Sequence, residues 1–82
     1  MGIKYEIYRV DSKAHIYSNK FGMEIALSRG GSGSYHYGIK IGDVIYDNMS
    51  HTGMSFDNWK IDLGIGQGFS DITCNLVTVI TP

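Results

Sequence analysis

The sequence predicts an α+β domain: an antiparallel sheet of about four to six strands with one short helix. Three observations carry that reading. Eleven glycines stand against a single proline, and six tyrosines accompany many Ile and Val residues, a balance that favours short strands and tight turns. Several segments alternate apolar and polar residues with period two, whereas only "FDNWKIDL" spaces its apolar residues as a helix does. A chain of 82 residues makes one domain at most, so residues 1–82 form a single small unit with a small core.

Taken in order, Ile3 to Val10 ("IKYEIYRV") alternates as a half-buried strand. "KAHIYS" reads as a second short strand and "SNKFG" as a turn, with "MEIALS" a third strand or a short helix. "RGGSGS", residues 29 to 34, is a Gly/Ser-rich segment that serves either as a mobile loop beside a site or as a plain connector. Tyr35–Ile41 and Val44–Asn48 are strands joined at Gly42-Asp43, a pair suited to a two-residue hairpin. After the loop "MSHTGMS", Ser55 caps a helix whose Phe56, Trp59 and Leu63 share one face and which ends at Gly64. "GIGQGFSD" is a turn that lacks the spacing of a dinucleotide fingerprint and precedes a strand, not a helix. "ITCNLVTVI", residues 72 to 80, is apolar toward both sides and is expected at the centre of the sheet.

Charge and cysteine usage remove several functions. Seven basic against eight acidic residues, a formal charge of -1, leave no basic stripe for a phosphate backbone, so nucleic acid is not expected as a partner. No apolar run approaches the roughly 18 residues of a membrane span and no signal peptide opens the chain, so it reads as soluble with no membrane partner. The lone Cys74 excludes an internal disulfide and leaves localisation open, a secreted or delivered domain included. His15 and His51 have no companions at metal-ligand spacing, and neither a metal nor another cofactor is expected.

The chemistry-bearing pair sits in the hairpin. A two-residue turn at Gly42-Asp43 sets Ile41 opposite Val44, Ile39 opposite Tyr46, Gly38 opposite Asp47 and His36 opposite Met49. One face then carries Tyr35, Tyr37, Ile39, Ile41, Val44 and Tyr46, the expected core face. The other carries His36, Gly38, Lys40, Ile45 and Asp47. His36 and Asp47 become diagonal neighbours about 7–8 Å apart at the main chain, with no side chain on Gly38 between them. A carboxylate there fixes the imidazole tautomer and leaves its second nitrogen to take a proton from a nucleophile. The same placement also suits a His-Asp pair on a sheet with no chemistry.

"GSGSYHYGIKIGDVIYDNMSHTGMSFDNWKIDLG" resembles the C-terminal half of the bacterial papain-fold toxin domains, cysteine-hydrolase modules of polymorphic toxin systems. The shared features, over roughly residues 28 to 64, are His36 with Gly38-Ile39, then Val44-Ile45-Tyr46-Asp47-Asn48, Gly53, Trp59 and Leu63. The resemblance implies the sheet half of a papain-like domain, with His36 as general base and Asp47, in preference to Asn48, as its orienting acid. It implies a protein or other amide substrate cut or deamidated, and an immunity protein as a partner. It also expects a nucleophilic cysteine on a helix before the sheet, and no residue before His36 is a cysteine.

Three accounts follow: a C-terminal part of a longer chain, a half completed by another polypeptide, or a relative that only binds or assembles. Cys74 offers a further route, because permuted papain-like amidases and acyltransferases carry the histidine before the cysteine. Its setting in "DITCNLVTVI" reads instead as a strand and a small buried hydrophobe. Ser32 and Ser34 lack a nucleophile-elbow sequence around them. In half a domain, the sheet surface that a missing segment would cover invites homo-oligomerisation.

Overall fold

The computed structural model describes residues 3–28, 33–69 and 71–81. The described residues form an α+β unit: β1 (Tyr5–Ser12), β2 (Ile16–Ser18), β3 (Met23–Ala26), β4 (Ser34–Ile41), β5 (Val44–Tyr46), β6 (Met54–Ser55), α1 (Phe56–Asp62) and β7 (Ile72–Ile80). Five of the strands make an antiparallel sheet in the order β6-β5-β4-β1-β7, and β2 and β3 form a separate ribbon. No helix among the described residues is long and apolar enough to cross a membrane.

The hairpin turn sets the register on which the site depends. Of Gly42 and Asp43 only Gly42 takes a positive φ, 61°, as a type II′ turn requires at its first central position. Ile41 therefore faces Val44 and Ile39 faces Tyr46, the pairing expected from a two-residue loop. β5 ends at Tyr46, so Asp47 leaves the ladder and Asn48 and Met49 bend away after it; residues 29–32 of the Gly/Ser-rich segment lie outside the described residues.

The helix forms where its signals place it. Ser55 is extended, and its Oγ accepts the N–H of Asn58 at 3.1 Å, satisfying one of the open donors of the first turn. Gly64, at φ 86°, lets the chain turn away after Leu63. Trp59 and Leu63 are buried and pack with Val10, Ile16 and Ile45 as the core. Smaller differences lie at element ends. β1 runs Tyr5–Ser12, later than expected from Ile3–Val10. Only Ile16–Ser18 of "KAHIYS" is strand, and Met54–Ser55 of the expected loop pairs with β5.

Two expectations are corrected. The faces of the β4–β5 hairpin divide as read, but the buried one is the other: Tyr35, Tyr37 and Ile39 are 52, 44 and 45% exposed, while Ser34, His36 and Ile45 are buried. The physical reason is α1. Leaving β6, it crosses the His36 face and seats Trp59 against Ile45, and an amphipathic tyrosine ring tolerates the half-exposed side better than Ile45 would. β7 is likewise not central. Among the described residues it pairs only with β1 and forms an edge, and it reads as apolar on both sides because neither side is fully covered there.

Gly38 is the close-approach point of this packing. A Cβ at that position would lie 2.7 Å from Ile45 Cδ1 and 3.0 Å from Trp59 Cζ2, both on fully buried side chains. Gly38→Ala is expected to destabilise the domain by about 1–3 kcal/mol through overpacking, read as a lowered urea midpoint with unchanged slope.

Candidate functional site

His36 projects from β4 and Asp47 from the bend that follows β5, and they meet on the α1 side of the sheet. His36 Nε2 lies 2.8 Å from Asp47 Oδ2, with the two side chains 8 and 3% exposed. Trp59 Nε1–H donates to the same oxygen at 2.9 Å, and Asp47 Oδ1 accepts the main-chain N–H groups of Met49 at 2.9 Å and Ser50 at 2.7 Å. A buried carboxylate thus receives four hydrogen bonds, three of them from groups that cannot give up their role as donors. The imidazole and indole ring centroids lie 6.3 Å apart, with the planes tilted by 33°.

Burial pushes the Asp47 carboxyl pKa up, but the hydrogen bonds from His36, Trp59 and the Ser50 N–H together outweigh it and lower the pKa from 3.8 to about 2. Asp47 is consequently ionised at any physiological pH. An ionised carboxylate can only accept, so the proton between the two side chains belongs to His36 Nε2. In the neutral ring the lone pair is then on Nδ1. That nitrogen has no hydrogen-bond partner among the described residues, where no buried side-chain nitrogen or oxygen is left unpaired, so Nδ1 reaches solvent. A cleft of about 390 Å³ lined by His36, Tyr37, Ile39, Tyr46, Asp47 and Asn48 opens beside the pair.

The arrangement can orient a base, and the other sequence candidates stand apart from it. Asp47, not Asn48, meets the imidazole; Asn48 is exposed and gives its carbonyl to His51 Nε2–H at 2.8 Å. Cys74 and His36 face the same strand residue, Val10, from opposite sides, which puts them about 10 Å apart across two strand spacings with fully buried Val10 between. Burial raises the Cys74 thiol pKa, and the opposing charge of Lys60 does not overcome it, so the thiolate fraction is small. Ser34 Oγ donates to the Ala14 carbonyl at 2.5 Å, and Ser32 lies outside the described residues. His15 is exposed and accepts the Ser28 N–H on Nδ1 at 2.6 Å. Among the described residues no group of three His, Cys, Asp or Glu side chains could hold a metal ion.

Sequence reasoning missed two parts of the site. Trp59 reads as a core aromatic but also donates to Asp47. The Met49 and Ser50 amides come from a local turn in which an Asp side chain accepts the N–H groups two and three residues on, and the run Asp47-Asn48-Met49-Ser50 directly after a strand is the available signal for it. At Gly38, Ile45 and Trp59 occupy the space that a side chain would take.

Comparison of the chain with protein-family models, with curated proteins and with solved structures finds no match.

The lowered carboxyl pKa makes stability depend on pH. A folded-state pKa of about 2 against 3.8 contributes roughly 2 kcal/mol that is fully present above pH 3.8 and lost as pH falls through the folded value. Urea unfolding at stepped pH is expected to show that loss in the native chain. In Asp47→Asn the corresponding slope disappears, because the amide does not titrate, and the variant is less stable at neutral pH.

Proposed function

We propose that this chain is the base-bearing sheet half of a papain-like cysteine hydrolase that cuts or deamidates an amide substrate. The observation that carries the reading is the imidazole whose Nε2–H is committed to a buried, ionised Asp47, with both residues lining a cleft. The resemblance of residues 28 to 64 to the papain-fold toxin domains supports the same roles. Cys74 is two strands away, so the nucleophilic thiol comes from polypeptide outside these 82 residues, on the same chain or on a partner.

His36 Nδ1 accepts the thiol proton, and Asp47 stabilises the imidazolium that results. The thiolate adds to the amide carbonyl, the C–N bond breaks as His36 returns the proton to the leaving nitrogen, and a thioester remains. Water, deprotonated by the same nitrogen, hydrolyses that thioester and frees the thiol. Substrate main chain has a place to lie: the β4–β5 ladder stops at Ile39 and Tyr46, so the N–H and C=O of Tyr37, which face that side by alternation, are left out of it beside the cleft.

A non-catalytic assembly module on the same sheet is the second reading, favoured by the half-exposed Tyr35, Tyr37 and Ile39 on the opposite face. The two separate on one experiment: the native polypeptide or complex that contains this chain is labelled with a limiting amount of iodoacetamide-alkyne. A hydrolase gives one hyper-reactive cysteine other than Cys74, whose labelling persists in Cys74→Ser and collapses in His36→Ala and in Asp47→Ala. Labelling of Cys74 alone, or labelling indifferent to His36, sinks the catalytic reading. In the isolated chain, long-range ¹H–¹⁵N spectra are expected to show neutral His36 as the Nε2–H tautomer, with that preference weakened in Asp47→Leu.

A further inference from the structure

β7 is nine residues long and contains no charged residue, glycine or proline. Proteins protect sheet edges with charge, proline, shortness or a covering segment, because unpaired main-chain groups template further strands. The opposite edge of this sheet meets that requirement: β6 is two residues long and runs straight into α1. On β7, Leu76, Val77, Val79 and Ile80 are instead 47, 53, 40 and 49% exposed.

The ladder phase identifies the open groups. The Lys13 N–H donates to the Asp71 carbonyl at 3.2 Å, so Asp11 with Thr73 and Arg9 with Asn75 are the pairs that exchange hydrogen bonds. Beyond the bulge at Val77, Ile7 with Thr78 and Tyr5 with Ile80 continue that set. Ile72, Cys74 and Val79 therefore turn their main-chain N–H and C=O outward. Their side chains, with Leu76, stand on the α1 side of the sheet as an uncharged stripe.

We infer that β7 is the seam of a homodimer, in which two copies pair antiparallel, edge to edge, about a two-fold axis. A second copy is the occupant that the strand fits. Two-fold pairing sets the same uncharged strand against itself, so no like charges oppose each other. It also brings the Leu76–Val79 stripe of one copy alongside that of the other, on the same side of a continuous sheet. A charged partner strand would find nothing complementary here. The seam is a strip about 30 Å long and about 10 Å wide, on the order of 300 Å² per copy, against roughly 800 Å² per partner in stable complexes. The dimer is consequently weak and concentration-dependent. This inference does not rest on the proposed chemistry.

Sedimentation velocity and amide hydrogen exchange on the 82-residue chain, at low and high micromolar concentration, test it. The expected result is a shift from monomer to dimer mass, with the Cys74 and Val79 amides slowing severalfold at high concentration. The Asn75 and Thr78 amides, bonded to β1, stay slow at both. Val77→Lys, or Val79→Lys where the first alters the circular dichroism, should abolish the mass shift and the slowing together. A monomer at every concentration overturns the inference. So do open-ended growth beyond a dimer, association unchanged by the lysine, and Cys74 and Val79 amides already slow in dilute solution.

Discussion

The Asp47 carboxylate, buried 3% exposed between a strand end and a helix, is the constraint around which the sheet and α1 are arranged. An ionised carboxylate out of water is costly unless every lone pair finds a donor, and Asp47 finds donors on separate elements: His36 on β4, Trp59 on α1, and the Met49 and Ser50 amides in the bend. Each donor fixes the position of the segment that bears it. The bend must turn so that two amides point inward, α1 must present its indole edge to the sheet, and the hairpin register must put His36 on the same face. Removing the charge would leave the Trp59 N–H and two main-chain amides without their acceptor, so the cost would fall on several elements together.

What the polar centre organises, a small apolar core must stabilise. Val10, Ile16, Ile45, Trp59 and Leu63 are the buried hydrophobic residues, contributed by β1, β2, β5 and the helix region. Five strands present two faces, and one seven-residue helix covers part of one. The remainder is left to residues that tolerate partial exposure. On the outer face Arg9 lies over the Tyr35 ring at 4.6 Å, donates to the Tyr37 hydroxyl at 3.1 Å and pairs with Asp11 at 2.9 Å, so the guanidinium and two phenol rings cover one another. An exposed ion pair of this kind adds little stability, and its value lies in shielding ring surface that has no core to enter.

The sequence made the hairpin legible because Gly42-Asp43 admits one short turn, and that turn fixes which residues share a face. The His36–Asp47 meeting was readable for the same reason. Which face is buried was not readable, since Tyr35, Tyr37 and Ile39 look as apolar as Ile45 and the decision rests with α1, a tertiary contact invisible to alternation. β7 failed differently. A strand apolar on both sides reads as central when sheets are fully covered, but in a domain this small the same pattern marks an edge where both coverings run out. Trp59's role as a donor was hidden because a helical aromatic stripe accounts for it without any polar partner.

Two open stretches of main chain lie on opposite sides of β1. β1 is bonded to β4 along one side and to β7 along the other, so it separates the seam from the site. On the far side of β4, beyond the last β5 pair, lie Tyr37 and the cleft of His36; on the far side of β7 lie the outward amides of Cys74 and Val79. A strand added at β7 extends the sheet away from His36 and leaves the cleft open. The same pairing withdraws Cys74 further from any role beside His36, because its main chain enters the seam while Val10 still stands between the two side chains. Association at β7 and the proposed chemistry at His36 are therefore compatible in one molecule, because β1 and β4 stand between the two.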